Sequence, residues 1–222
     1  MIATPDALVD GAAAARALRL PDGFADPELT KIGLHDHVMP VGPRKYLEYV
    51  GPVAGDSYIN RWLRRAGSGG YCLSVQVPDV PAGKARAVAA GVRLAADQEL
   101  MGHPLFQMHP GDIGILLELD GITDPGVWFW DDVTPGPAPG ALIDDIVAVE
   151  VGVPEPVAVA ALWAEIIGLE PLGPTALDFS GCRVDFVEHA VGQLLSAQFR
   201  WTGSGPVIES LSGLNVRSAS RA

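Results

Sequence analysis

The sequence predicts an α+β fold in which a β-α-β-β unit recurs, and three observations support this prediction. Three segments share one plan, in which a β-type run is followed by Pro, an acidic residue and an Ala-rich helical stretch. The prolines of these segments, Pro5, Pro78 and Pro154, are 73 and then 76 residues apart. Between the helical stretches, apolar and polar residues alternate with the period of two that is typical of strands.

Each helix has a recognisable start, and most have a stop. Pro is tolerated in the first helical turn, and the acidic residue after it meets the positive end of the helix dipole. Gly91 and Gly168 are placed to end the second and third helices. A further helix is predicted over 56–65, with Asp56 or Ser57 as its cap. The strands predicted between the helices are 31–39, 46–50, 105–108, 113–119 and 183–187.

This order of elements predicts how the chain is organised. The predicted parts are a first module (1–65), a second module (66–120), a Pro- and Gly-rich linker (121–142), a third, degenerate half-module (143–203) and a C-terminal tail (204–222). One module cannot bury its sheet face alone, so the modules must pack on one another. Two curved sheets that face each other would leave a cup.

Composition limits the partners of this chain. Acidic residues outnumber basic ones by 27 to 15, so a basic nucleic-acid-binding surface is not expected. Two cysteines do not make a disulfide framework, and no apolar run reaches the length of a membrane span. With no signal-peptide pattern at Met1, we expect a cytoplasmic protein that acts on small molecules or proteins. Net charge disfavours a highly anionic ligand, unless Arg44, Lys45, Arg61, Arg64 and Arg65 form a local basic patch.

Two carboxylates stand out as candidate functional groups. Glu118 lies in an otherwise apolar strand, and Glu48 lies in a second strand-like run. A buried carboxylate is costly unless it is paired, protonated or bound to a metal, so the pair fits metal ligation or acid–base chemistry. The alternative is that each occupies an edge strand and faces solvent. His35 and His37 share a strand face, which fits either a metal pair or a half-exposed polar surface. Trp128 and Trp130 fit a ligand-site rim or a packed linker.

Two stretches resemble methylmalonyl-CoA epimerases of the vicinal oxygen chelate (VOC) superfamily, which includes glyoxalase, bleomycin-resistance and dioxygenase proteins. One runs from Tyr46 to Asp79, and the other from Phe106 to Leu119. The resemblance implies paired βαβββ modules that form a curved mixed-sheet cup, with a third partial module. It also allows a homodimer.

The resemblance further assigns residues to roles. It places Glu48 and Glu118 at metal-ligand positions on the last strands of the two modules, and Cys72 where the family usually has a His ligand. It makes His35 a candidate acid–base group. Cup residues that would contact a substrate are then His37, Tyr46, Tyr71, Trp128 and Trp130.

Two functions follow from the resemblance. The first is a metal-dependent isomerase, epimerase or lyase that acts next to a carbonyl, with Zn, Mn, Ni, Co or Fe as its ion. The second is a metal-free protein of the bleomycin-resistance type that sequesters a small molecule. Cys72 in place of His favours the second function, and the intact carboxylates favour the first.

Overall fold

The computed structural model describes residues 1–53, 57–100, 102–121, 136, 138–203 and 208–219. The chain divides into two compact units, each assembled from separate stretches of sequence. The first unit comprises Met1–Gly70, Trp130–Val147 and Ser196–Ala222. The second comprises Tyr71–Phe129 and Ala148–Leu195.

The described residues form five α-helices and one 3-10 helix. They are α1 (Ala7–Leu18), the 3-10 helix (Leu29–Ile32), α2 (Tyr58–Ala66), α3 (Val80–Ala89), α4 (Pro110–Ile113) and α5 (Pro156–Ile167). The predicted acidic caps are present in α1, where the Asp6 carboxylate accepts the Val9 N–H, and in α3, where that of Asp79 accepts the Ala82 N–H.

Fourteen strands lie in the described parts of the chain. They are β1 (Ile2–Ala3), β2 (Leu34–Gly42), β3 (Lys45–Pro52), β4 (Gly69–Gly70), β5 (Cys72–Gln76), β6 (Leu94–Leu100), β7 (His103–Met108), β8 (Leu116–Asp120), β9 (Ile143–Val153), β10 (Ala176–Asp178), β11 (Arg183–Glu188), β12 (Gln193–Trp201), β13 (Ser210–Leu211) and β14 (Leu214–Ala219). With mixed parallel and antiparallel pairing, the fold belongs to the predicted α+β class.

One arrangement recurs along the chain, in which two strands of a repeat pair in parallel. The pairs are β1 with β3, β5 with β8, β9 with β11, and β12 with β14. The first unit holds the first and last pairs, and the second unit holds the two middle pairs. The fourth pair was not predicted, because its sequence contains no Pro–acid–helix signal. Between its strands, the described residues 208–213 include the two-residue strand β13.

In the second unit, a four-stranded sheet has the order β5-β8-β7-β6. Helix α3 packs against β7 and β8, where Phe106, Leu117 and Leu119 are completely buried. Helix α5 contributes Trp163, whose indole N–H donates to the Ile113 carbonyl at 2.9 Å. The ring of Trp163 also meets that of Phe186 edge-on, with centroids 5.1 Å apart.

In the first unit, strands follow the order β2-β3-β1-β4, and α1 packs on β2 and β3. Gly11 permits this close approach, because a Cβ at that position would lie only 2.6 Å from the Cβ of His37. The strand predicted over 31–39 begins only at Leu34, since Leu29–Ile32 form the 3-10 helix that ends at Gly33 with φ 78°. Similarly, α4 takes up the start of the strand predicted over 113–119.

Candidate functional site

The face of the four-stranded sheet opposite α3 carries a row of polar side chains. Residues that pair across neighbouring strands project from the same face. Glu118 on β8 pairs with Ser74 on β5 and with Gln107 on β7. Because Leu117 and Leu119 face α3, these three residues lie on the helix-free face. We call Ser74, Gln107 and Glu118 the polar row.

Glu118 is held by its neighbours in the polar row. The side-chain amide of Gln107 donates from Nε2 to Oε2 of Glu118 at 2.6 Å. Burial raises the pKa of the Glu118 carboxyl, and hydrogen bonds from Gln107 and Ser74 oppose that rise. Since β8 lies between β5 and β7, the edge-strand alternative does not hold for this residue.

A second carboxyl group adjoins the polar row. Asp120 is completely buried on β8, two residues beyond Glu118 and on the same face. The Ser74 hydroxyl donates to Oδ2 of Asp120 and is also in hydrogen-bond contact with Glu118. One hydroxyl proton can serve only one carboxyl group at a time, so the two groups compete for Ser74.

Cys72 shares the helix-free face with Glu118 but does not lie directly opposite it. The register pairs Cys72 with Leu116, and Ser74 takes the position beside Glu118. The buried Cys72 thiol is near the backbone carbonyl of Leu73, with a 3.4 Å separation between Sγ and O. Tyr71, also in this unit, is half-buried immediately before β5.

Glu48 lies in the first unit on β3, which is flanked by β1 and β2. The residue is only 8% exposed, so the solvent-facing alternative does not hold for it either. By the alternation of β3, Tyr46 projects from the same face and is half-buried, and burial raises the pKa of its hydroxyl. Convergence of Glu48 with Glu118, which lies in the second unit, stays a prediction.

His35 and His37 project from the opposite face of the first unit's sheet. They pair with Gly51 and Tyr49, whereas Glu48 pairs with Val38, and His37 lies against α1 at Gly11. The buried Nε2 atoms of both histidines lack a hydrogen-bond partner among the described residues. Burial lowers the pKa of His37, although the charge of Asp22 opposes this. The structure therefore does not bring either histidine together with Glu48, and the acid–base role of His35 stays a prediction.

On the Glu48 face, Asp36 forms a buried acidic pair with Asp26. The Asp26 backbone N–H donates to Oδ1 of Asp36 at 2.7 Å, and the Glu28 N–H donates to Oδ1 of Asp26 at 2.8 Å. Burial, together with the charge of Asp26, raises the pKa of Asp36 to about 7. Asp36 is therefore expected to be partly protonated near neutral pH.

The residues of the predicted basic patch have different surroundings in the structure. Lys45 makes an ion pair with Asp145 at 2.8 Å, which neutralises its charge. Arg44 lies in the turn between β2 and β3, while Arg61, Arg64 and Arg65 are all exposed on α2. Of the other residues singled out in the sequence, Trp128, Trp130 and the candidate cap Asp56 lie outside the described residues, and Ser57 caps α2.

The side chains around Glu118 do not fit a metal ion well. Oε2 of Glu118 accepts an N–H from Gln107, which still leaves lone pairs on the carboxylate, so the fit depends on whether further ligands stand beside it. Among the residues that the structure describes, there is no cluster of three or more His, Cys, Asp or Glu side chains suited to a metal.

Sequence reasoning missed Ser74, Gln107 and Asp120. All three carried a usable signal, because they are polar residues that alternate with apolar ones in strands. Asp120 in particular stands two residues after Glu118, which places both on one strand face. Which strands become neighbours is set by tertiary pairing and is not visible in the sequence.

Comparison with known proteins gives matches only among solved structures, since no family model and no curated protein matches the chain. A Streptomyces coelicolor methylmalonyl-CoA epimerase variant in complex with 2-nitronate-propionyl-CoA is 22% identical, with a TM-score of 0.50 over 55% of this chain and 94% of its own. A methylmalonyl-CoA epimerase in complex with methylmalonyl-CoA and NH4+ is 21% identical, with a TM-score of 0.50 over 57% of this chain and 94% of its own. A triple mutant of Streptomyces coelicolor 4-hydroxymandelate synthase is 15% identical, with a TM-score of 0.65 over 90% of this chain and 68% of its own.

Across the described ranges, no helix has both the length and the apolar character to cross a membrane. The structural matches confirm the resemblance at the level of architecture, as does the parallel pairing of strands within each repeat. The chain therefore has the fold of the vicinal oxygen chelate superfamily.

Proposed function

We propose that the chain is a VOC-fold enzyme that moves a proton at a carbon next to a carbonyl group of a small molecule. Glu118 is the proposed acid–base group. The observation that carries this proposal is the enclosed Glu118 carboxyl on the helix-free face, bonded to Gln107 and with a raised pKa. A general acid or base works best when its pKa lies near the working pH, which burial of a carboxyl group favours.

The proposed reaction begins with the ionised Glu118. Its carboxylate takes the proton from the carbon, the C–H electron pair moves into the adjacent carbonyl, and an enolate forms. Return of the proton from Glu118 to the opposite face of the same carbon, after the enolate has turned, gives the epimer. Departure of a group from the neighbouring carbon instead makes the reaction a lyase reaction. Gln107 keeps the carboxylate oriented in both directions through its N–H bond to Oε2.

Metal dependence is a separate proposal that rests on the family resemblance, with Glu48, Glu118 and Cys72 as ligands. The hydrogen bond from Gln107 is compatible with either role of Glu118, and the reaction above uses Glu118 as the base alone. No step of the proposed reaction therefore passes through a metal ion.

Proton exchange with solvent tests the proposed reaction directly. The protein is incubated in D2O with methylmalonyl-CoA, other 2-substituted acyl thioesters and 2-oxo acids, and proton NMR follows the loss of the signal next to the carbonyl. We expect exchange with at least one compound, at a rate that rises with pH through a midpoint above 4.5, the ordinary pKa of a glutamate.

Two variants make this experiment specific. Glu118→Gln keeps the size of the side chain but removes the base, so exchange should fall at least about 100-fold. Glu99→Gln changes an exposed carboxylate on β6 of the same sheet and should leave the rate unchanged. If the wild-type protein binds a compound tightly but exchanges none of the panel, the second function, small-molecule sequestration, takes the place of the enzyme proposal.

Metal analysis tests the separate proposal. Protein purified without a His-tag should contain well under one equivalent of Zn, Mn, Ni, Co or Fe, because the described residues include no cluster of three or more His, Cys, Asp or Glu side chains suited to a metal. Near-stoichiometric metal that is lost in Glu118→Gln would contradict this expectation and restore Glu118 as a ligand.

A further inference from the structure

We propose that α2 carries a binding site for a nucleoside diphosphate moiety, with its arginines on the diphosphate and Tyr58 against the base. This inference does not depend on Glu118, which lies in the other unit. It concerns a cationic surface that the proton-transfer reaction does not use.

The charge of α2 contrasts with that of the chain. The helix contains Arg61, Arg64 and Arg65 and no acidic residue, although the whole chain has a net charge of −12. Many other cations are neutralised by a carboxylate. These ion pairs join Lys31 to Glu28, Lys45 to Asp145, Lys84 to Asp97, Arg93 to Asp112, Arg183 to Asp185 and Arg200 to Asp144.

Two arginines of α2 keep their charge available. All three guanidinium-bearing residues are exposed, and Arg61 and Arg65 make no ion pair with any residue that the structure describes. An anion that docks there would therefore not have to displace an internal carboxylate from these two side chains. Nearby like charges also gain from a bound anion, which relieves their mutual repulsion.

The spacing of the arginines places them on one side of the helix. Arg64 and Arg65 follow Arg61 by three and four residues, so their Cβ atoms are roughly 5–6 Å from that of Arg61. Long arginine side chains at this spacing can converge on two adjacent phosphates. Each planar guanidinium can donate two parallel N–H bonds to one phosphate, a geometry that lysine lacks.

Tyr58 adds an aromatic ring to the same side of α2. Tyr58 stands three residues before Arg61, one helical turn away, and is 39% exposed. The stripe of Tyr58, Arg61 and Arg65 extends over roughly 10 Å of helix axis. Exposed tyrosine rings stack on nucleobases, and this contact tolerates any base because each has a π-face. A ring followed by guanidinium groups therefore favours a nucleotide over an isolated phosphate.

Calorimetric titration with ADP, adenosine and inorganic pyrophosphate tests this site on the full chain. We expect ADP to bind more tightly than either fragment, and its affinity to fall as NaCl rises. Arg61→Gln combined with Arg65→Gln should weaken ADP binding at least about tenfold, since it removes two charge-assisted contacts. Tyr58→Ala should weaken ADP binding while leaving pyrophosphate binding unchanged.

A matched control separates this site from general charge effects. Arg16→Gln combined with Arg19→Gln removes the same charge from exposed arginines near the end of α1, and should leave ADP affinity within about twofold. The proposal is overturned by a lack of ADP binding at millimolar concentration, by equal weakening in both double variants, or by a Tyr58→Ala variant with unchanged ADP affinity. Exchange of the 2-oxo acids, which carry no nucleotide, does not depend on these results, so the two proposals can fail separately.

Discussion

The pKa values of individual carboxyl groups in this protein depend more on their surroundings than on their position in the sequence. Asp112 is bonded by Arg93, which holds the pKa of that carboxyl down at about 2. Asp36 and Glu118 lie in buried surroundings, and burial raises their pKa values. Residue type alone specifies none of these pKa values, because Arg93 lies 19 residues from Asp112 in the sequence and burial is a property of the fold.

Asp36 yields a prediction about the pH dependence of stability. Its pKa is raised from 3.8 to about 7, so the folded chain keeps a proton that the unfolded chain releases in this interval. The contribution of Asp36 to the free energy of unfolding is therefore fully present below pH 3.8 and is lost as the pH rises through 7. Asp36→Asn keeps an oxygen for the Asp26 N–H and cannot ionise. At pH 8 this substitution should raise the free energy of unfolding by about 3 kcal/mol.

Urea denaturation at pH 4 and pH 8 measures this effect. The gain from Asp36→Asn should almost vanish at pH 4, where wild-type Asp36 is already protonated in the fold. Glu99→Gln, an exposed carboxylate in the other unit, should show a similar small effect at both values. An equal gain from Asp36→Asn at both pH values would show that Asp36 is not protonated in the fold near neutral pH.

Local sequence signals were sufficient to predict where several helices begin or end. The starts of α1 and α3 were predicted from Pro followed by Asp, because a cap is formed within four consecutive residues. The end of α5 at Gly168 was predicted for the same local reason. The φ of 83° at Gly168 lies in the left-handed region, which favours glycine. Strand β6 was missed, since its residues Ala95–Glu99 contain little of the β-branched or aromatic character that marks strands.

Two glycines inside helices give a matched prediction. Replacing a mid-helix Gly by Ala gains roughly 1 kcal/mol of helix propensity when space permits. At Gly11 of α1, the new Cβ would lie 2.6 Å from the Cβ of His37, which is fixed to its strand. At Gly83 of α3, it would lie 3.1 Å from the movable Cδ1 of Leu119. We therefore expect Gly11→Ala to destabilise the fold by about 1–2 kcal/mol and Gly83→Ala to be neutral or mildly stabilising.

Urea unfolding midpoints at a fixed pH compare these two variants. An unchanged m-value in both would show that the denatured state is not the source of the difference. Equal stabilisation by both substitutions would contradict the close packing of α1 on β2.

At the scale of the whole molecule, each unit combines repeats that are separated in the sequence. The first unit joins the β1–β3 pair to the β12–β14 pair, and the second unit joins β5–β8 to β9–β11. The recurrence of modules was visible as the spacing of the Pro–acid pairs. Which modules pack together was not visible, because the partner strands are more than a hundred residues apart in the first unit. The module boundaries predicted at 65, 120, 142 and 203 stay a prediction.

A truncation experiment tests this assembly. A fragment of residues 1–121 keeps the two modules whose sequences resemble the epimerases, but it removes β12 and β14 from the first unit and β9, α5 and β11 from the second. The exposed sheet edges and the lost Trp163 should prevent a stable core. We expect circular dichroism to show no cooperative melting transition for this fragment.

The control for truncation is the full chain under the same conditions, which should melt cooperatively. A cooperative transition in the fragment would show instead that the first two modules form a stable core without the second half of the chain.

The division of the chain between units also sets an order for folding during synthesis. The second unit ends at Leu195, while the first unit begins at Met1 and needs strand β14, which ends at Ala219. On the ribosome, residues 1–70 are made before the strands that complete their unit, so the second unit can close while the first still lacks β14. We expect residues 1–70 to stay accessible to chaperones for longer than the residues of the second unit.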